Sequence, residues 1–200
     1  MVVLPKDGEP RDRVLTFDEV RSIWFATERF HERMFLALLF GTLARPEAAL
    51  EVTREMADLE RNLVTLNPPG HNQTKKFRPT VPLVPELRPW IANAPSGILV
   101  RYNDRQIDSF KSAWRAIRKR AGLGLDVVPK TIRHTMATEL RKHGVPEADI
   151  QGFLGHRAYG GRTEVYAKYR PEYLGLAAGV VNDYMKRLRE SFAETPHGMP

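Results

Sequence analysis

"KTIRHTMATELRKHG" runs from Lys130 to Gly144, and its periodicity is helical. Ile132, Met136 and Leu140 recur every four residues and place one apolar stripe toward a core. Gly144 supplies a C-terminal cap, and Pro146 opens the next segment. The puzzle lies at the other end. Lys130 and Arg133 crowd the first turn, with His134 beside them. There the backbone dipole is already positive, and like charges three residues apart repel. An anion at this end would favour the dipole and the side chains together. Side chains fanning into solvent, or pairing with Asp or Glu, satisfy the spacing equally well.

Outward from this helix the chain reads as one mostly helical unit. Residues 1–13 are rich in Pro, Gly and charge and are expected to form an arm. "TFDE" is a capping box, with Thr16 as N-cap and Glu19 three residues on, and predicts a helix from about 17 to 29. "ERMFLALLFGTLA" is apolar nearly all round, so that helix is expected to be buried. Pro46 suits the first position of a short helix. "LERNLVTLN" and "FRPTVPLV" predict two strands, joined by the basic turn "PPGHNQTKK". Pro79 and Pro82 confine the second strand to a sheet edge. "GILVRY" suggests a further short strand. "DSFKSAWRAIRKRAG" is a basic amphipathic helix ending at Gly122, and "PEADIQGFLG" is another helix. A last helix is expected over about 172–190, with a frayed tail at 191–200. Its apolar residues Leu176, Val180, Val181 and Tyr184 suit packing on this domain or on a neighbouring protomer.

Composition narrows the function. The 200 residues carry 31 Lys+Arg against 24 Asp+Glu, a formal charge of +7, which favours a polyanionic partner. There is no cysteine, which excludes disulfides and thiolate metal sites. No histidine spacing suggests a metal centre, and there is no Gly-rich phosphate loop. No apolar run is long enough for a membrane span, and the first residues lack a secretory apolar region. A cytoplasmic location is expected.

In order along the chain stand "ARPE", "TKK", "IRHT", "LGHR" and "TEVYAKY". This succession resembles the catalytic domain of the tyrosine recombinases, the phage integrase family, over about residues 14–185. The resemblance implies a mixed α/β fold, mostly α-helical with a small antiparallel β-sheet. It implies an enzyme that cuts and rejoins double-stranded DNA through a 3′-phosphotyrosine, without metal or cofactor, working as a homo-oligomer, a tetramer on DNA. Arg45 and Arg133 would clamp the scissile phosphate. A planar guanidinium matches phosphate geometry and stays charged. Tyr166 would be the nucleophile, with Tyr169 its rival. His156 would hydrogen-bond the phosphate or orient the transition state. Lys75, with Lys76 second, would protonate the leaving 5′-oxygen. Lys130 stands where the family usually has histidine. A lysine of ordinary pKa donates to a phosphate oxygen but does not accept the tyrosine proton. Glu47 follows Arg45 by two residues where the family's acid follows by three, and His156 and Tyr166 are ten apart. The departures leave the family resemblance standing; Lys130 and the displaced hairpin lysine support an alternative reading, a catalytically impaired DNA-binding regulator. A topoisomerase of type IB or a basic RNA-binding domain fits the motifs less well.

Overall fold

The computed structural model describes residues 13–73, 76–156 and 170–193. The element order is α1 (Phe17–Phe25), α2 (Phe30–Thr42), α3 (Pro46–Ala49), β1 (Ala57–Asp58), β2 (Leu63–Thr65), β3 (Thr80–Pro82), α4 (Arg88–Ala92), β4 (Arg101–Tyr102), β5 (Arg105–Gln106), α5 (Lys111–Arg120), α6 (Pro129–Lys142), α7 (Glu147–Leu154) and α8 (Gly175–Ala193). Short 3-10 turns precede β1 and α8. The architecture is mostly helical with small antiparallel sheets.

The core is built around α2. Met34, Phe35, Leu36, Ala37, Leu38, Leu39 and Phe40 are all buried, as an all-round apolar helix requires. α1 starts at its capping box: the Thr16 hydroxyl accepts from the Glu19 amide at 3.2 Å, and Glu19 accepts from the Thr16 amide at 2.9 Å. It ends at Phe25, short of the expected 29, because the next residues are claimed by α2. The buried Glu32 carboxylate accepts from the backbone of Glu28 at 2.8 Å and is paired with Arg120 at 3.1 Å. That carboxylate caps α2 and closes α1 in one step.

The expected hairpin is present: Leu63 pairs with Pro82, Val64 with Val81 and Thr65 with Thr80. β1, which the sequence reading left out, adds on the far side of β2, giving the order β1-β2-β3. β3 is therefore an edge strand, where proline removes no ladder bond that is needed. In "GILVRY" the end pairs as β4, and Ile98 makes an isolated antiparallel bridge with Thr53. Tyr102 and Arg105 flank a two-residue turn in which Asn103 and Asp104 both have positive φ, 50° and 59°. That geometry suits the twist of a tight hairpin, and Asn and Asp tolerate it best after glycine. Leu99 and Val100 are buried instead as core residues outside any strand.

α6 carries its stripe as expected, with Ile132, Met136 and Leu140 fully buried. Three chain turns share one device. After α5, α6 and α7, glycines 122, 144 and 155 adopt φ of +70°, +72° and +64°. Each lets the following amide reach back to the last turn, as in Leu123 to Arg118, Val145 to Leu140 and His156 to Gln151. α8 packs on its own chain. Tyr184 meets Phe17 edge-on at 5.7 Å and stacks on Phe40 at 6.3 Å, and Phe192 stacks on Trp24 at 6.1 Å. Val181 is buried, whereas Leu176 is exposed. Of the two packings the sequence allowed, this structure shows the one within the chain.

Candidate active site

Three of the expected residues converge where α2, α6 and α7 meet. Arg133, on the first turn and a half of α6, is only 7% exposed. Its Nη1 donates to the Leu43 carbonyl and its Nη2 to the Leu154 carbonyl. Those oxygens belong to the C-terminal ends of α2 and α7, where helix dipoles place partial negative charge. Two helix ends thus solvate a buried cation with neutral groups. Leu43 makes its carbonyl available by adopting a left-handed conformation, φ 51°. For a branched residue this is strained by about 1–2 kcal/mol, and full burial together with the Thr42 hydroxyl, which accepts from Ala44 at 3.2 Å, holds it.

His156 follows directly from the α7 glycine turn. Its Nε2 lies 3.4 Å from Arg133 Nη2. Arg45 sits just before α3, and its Nη1 donates to the Phe77 carbonyl at 2.7 Å, on the lead-in to β3. Gly155 closes the arrangement. A Cβ there would come within 2.8 Å of that same Phe77 carbonyl and 2.5 Å of Pro79 Cδ. The hairpin, α3 and the α7 turn therefore meet at one backbone oxygen.

The charges influence one another. Burial, then Arg45, pushes the Arg133 guanidinium down to about 9, so it remains a cation at neutral pH. Burial is also the main cause that lowers Arg45, with Arg78 adding to it against Glu47. The His156 imidazole is lowered below its ordinary value first by burial, then by Arg133 and Arg45, with Lys130 adding to the effect. Lys130 is exposed, and its charge reaches His156. Among the described residues, none of Arg45, Lys130, Arg133 or His156 makes an ion pair with a carboxylate. A basic cluster in which no described carboxylate forms an ion pair has room for an anion, and the resonant fork of two arginines suits a tetrahedral oxyanion.

Residues 13–172 match the phage integrase family. The chain belongs to that family. It is 28% identical over 184 residues to the tyrosine recombinase XerA of Thermococcus kodakarensis, covering 86% of this chain and 64% of the relative. With the tyrosine recombinase XerA of Saccharolobus solfataricus it shares 25% identity over 198 residues, covering 96% and 62%. The chain thus spans less than two thirds of these relatives' length. Its fold is that of the integrase from mycobacterium phage Brujita, with a TM-score of 0.65 at 17% identity over 94% of this chain and 67% of that one. The Tn1549 transposon integrase, solved in complex with transposon right end DNA, gives 0.58 at 18% identity over 94% and 69%.

Within this family fold, Arg45, Arg133 and His156 lie together, and Lys130 is near enough to His156 to act on its charge. Lys75, Tyr166 and the rival Tyr169 lie outside the described residues. Sequence reading missed the supports: the Leu43 and Leu154 carbonyls, the Phe77 carbonyl and Gly155. Only Gly155 left a signal, a glycine ending a predicted helix in "FLGH". Among the described residues no group of three or more His, Asp or Glu side chains is placed to hold a metal ion. No helix among them is long and apolar enough to cross a membrane.

Proposed function

We propose that this chain is the catalytic domain of a site-specific DNA recombinase, cutting and rejoining duplex DNA through a 3′-phosphotyrosine. The observation that carries the reading is Arg133: a buried guanidinium held by two helix-end carbonyls, beside Arg45 and His156, with no carboxylate paired to it among the described residues. An arginine kept for structure alone is better served by a carboxylate partner, because burying an unpaired charge is costly. A phosphodiester entering the cluster supplies the missing charge.

In the reaction, the Tyr166 oxygen attacks phosphorus while Arg45 and Arg133 hold the non-bridging oxygens, which gain charge in the transition state. The bond from phosphorus to the 5′-oxygen breaks, and Lys75 gives that oxygen its proton. The phenol's proton needs an acceptor. Lys130, where the family usually has histidine, serves as a donor to the phosphate. The His156 imidazole, a ring that can accept a proton, takes it. The phosphotyrosine stores the energy of the broken bond, and attack by a free 5′-hydroxyl reverses the steps. The partner is double-stranded DNA, the working form a homo-oligomer on two duplexes, the compartment cytoplasmic.

Covalent trapping tests the reading. The protein is incubated with a pool of nicked duplexes, so that the cleaved strand diffuses away and the adduct accumulates. Mass spectrometry then locates a DNA-linked tyrosine. An adduct on Tyr166, absent from Tyr166→Phe, is expected. An adduct on Tyr169 keeps the chemistry and moves the nucleophile. Tight DNA binding with no adduct, also from a longer chain on its own site, makes the protein a non-catalytic DNA-binding regulator.

A further inference from the structure

One arginine of the cluster is held less directly than the other. Among the described residues, Arg133 is held by two helix ends, whereas the Arg45 guanidinium bonds to one carbonyl, that of Phe77. A lone hydrogen bond sets a distance and leaves rotation free. What fixes the Phe77 carbonyl therefore fixes Arg45.

The next residue is Arg78. Its guanidinium forms a two-bond fork with Glu51, Nη1 to Oε2 at 2.6 Å and Nη2 to Oε1 at 3.1 Å. Its backbone is gripped as well: the Gln73 side-chain amide donates to the Arg78 carbonyl at 2.9 Å and accepts from the Arg78 amide at 3.0 Å. Glu51 lies just beyond α3, on the segment that begins with Arg45. Two parallel ties thus join residues 45–51 to residues 77–78, one from each side. A planar bidentate pair constrains orientation as well as distance. Glu51 also has an electrostatic task. Arg78 is close enough to depress Arg45, and an Arg78 without its carboxylate would repel Arg45 and compete with it for the same anion.

We propose that Glu51, acting through Arg78, is a positioning residue for Arg45. Glu51 holds the Phe77 carbonyl in register and keeps the Arg78 charge out of the phosphate site. The consequence for catalysis rests on the recombinase reading; the effect on Arg45 does not.

Two measurements on the full chain separate these. In the first, guanidinium nitrogen–proton NMR at low temperature follows Arg45 without DNA. Wild type should show a distinct, slowly exchanging Nη–H signal from the bond to Phe77. Glu51→Gln should lose it to rotational averaging, while Glu51→Asp, which keeps the charge, should retain part of it. Backbone amide signals elsewhere report whether the fold survives. If Glu51→Gln keeps the Arg45 signal, or if Arg78→Lys abolishes folding while Glu51→Gln leaves Arg45 unchanged, the proposal is wrong. In the second, single-turnover cleavage of nicked duplex is compared with DNA affinity. Glu51→Gln should slow cleavage by about tenfold to a hundredfold, the scale of a small misplacement, with affinity changed less than about threefold. It should add nothing in an Arg45→Ala background. A lost Arg45 signal with unchanged cleavage would overturn the catalytic role. Absence of cleavage in wild type would count against the recombinase reading, and the NMR comparison would still decide whether Glu51 positions Arg45.

Discussion

Arg133 is the residue on which the site turns, and its attachments make its substitution specific. Its guanidinium spans two carbonyls, from Leu43 and Leu154, that point from different helices. A lysine ammonium is a compact charge on a flexible stem and cannot bridge both while also facing a phosphate. Arg133→Lys should therefore reduce single-turnover cleavage by at least about a hundredfold, in line with the loss of an oriented transition-state donor. Its unfolding free energy should change by no more than about 1–3 kcal/mol, the cost of one unsatisfied buried acceptor. Cleavage assays and denaturant melts on the same preparations check both. His156 offers a pH readout. Its folded pKa lies below the ordinary 6.5, chiefly from burial and then from Arg133 and Arg45. Between that lowered value and 6.5 the unfolded chain holds more protons than the folded one. This histidine's contribution to stability is thus fully present above 6.5 and is lost as pH falls through that window. An anion in the cluster reverses the balance. NMR titration of the His156 ring should give a midpoint below 6.5 in the free protein and a higher one with sulfate added.

At the scale of elements, the helix-ending glycines separate two physical effects. Gly144 and Gly155 have nearly equal positive φ, +72° and +64°. Nothing lies within 4 Å of a Cβ at Gly144, whereas at Gly155 one would strike Pro79 and the Phe77 carbonyl. Gly144→Ala should cost about 1–2 kcal/mol from backbone strain alone. Gly155→Ala should cost about 1–3 kcal/mol more from overpacking against backbone that has little room to move. It should also slow cleavage, because the displaced carbonyl is the one that holds Arg45. Urea midpoints of the two variants, with their cleavage rates, give the comparison directly. The same elements show how far local sequence went. The capping box at Thr16, the α6 stripe and the hairpin between β2 and β3 were legible, since each is set by neighbours in the chain. β1 and the true end of α1 were not. Two residues cannot announce a strand, and Glu32 closes α1 while its buried carboxylate is paired with Arg120, far along the chain.

For the whole molecule, α8 is the element whose place bears on assembly. It lies across α1 and α2 of its own chain, with Val181, Tyr184, Met185 and Leu188 buried. Leu188→Ala should lower the unfolding free energy by about 2–5 kcal/mol, as for other buried leucines. The loss should not depend on protein concentration, since the contact is made within the chain. A concentration-dependent melt would instead mean that α8 contributes to a contact between protomers in solution.

The order of motifs, read alone, determined the family, the fold class and which basic residues to compare, because those depend on residue type and spacing. It also posed the problem of a helix whose first turn is too positive. It could not say that Lys130 faces out while Arg133 is buried, since both fit the same turn. Nor could it show that a strained Leu43, the end of α7 and the Phe77 carbonyl supply the partners. Those are backbone oxygens, carried by every residue alike, and only the packing of α2, α6, α7 and the hairpin decides which of them meet a guanidinium.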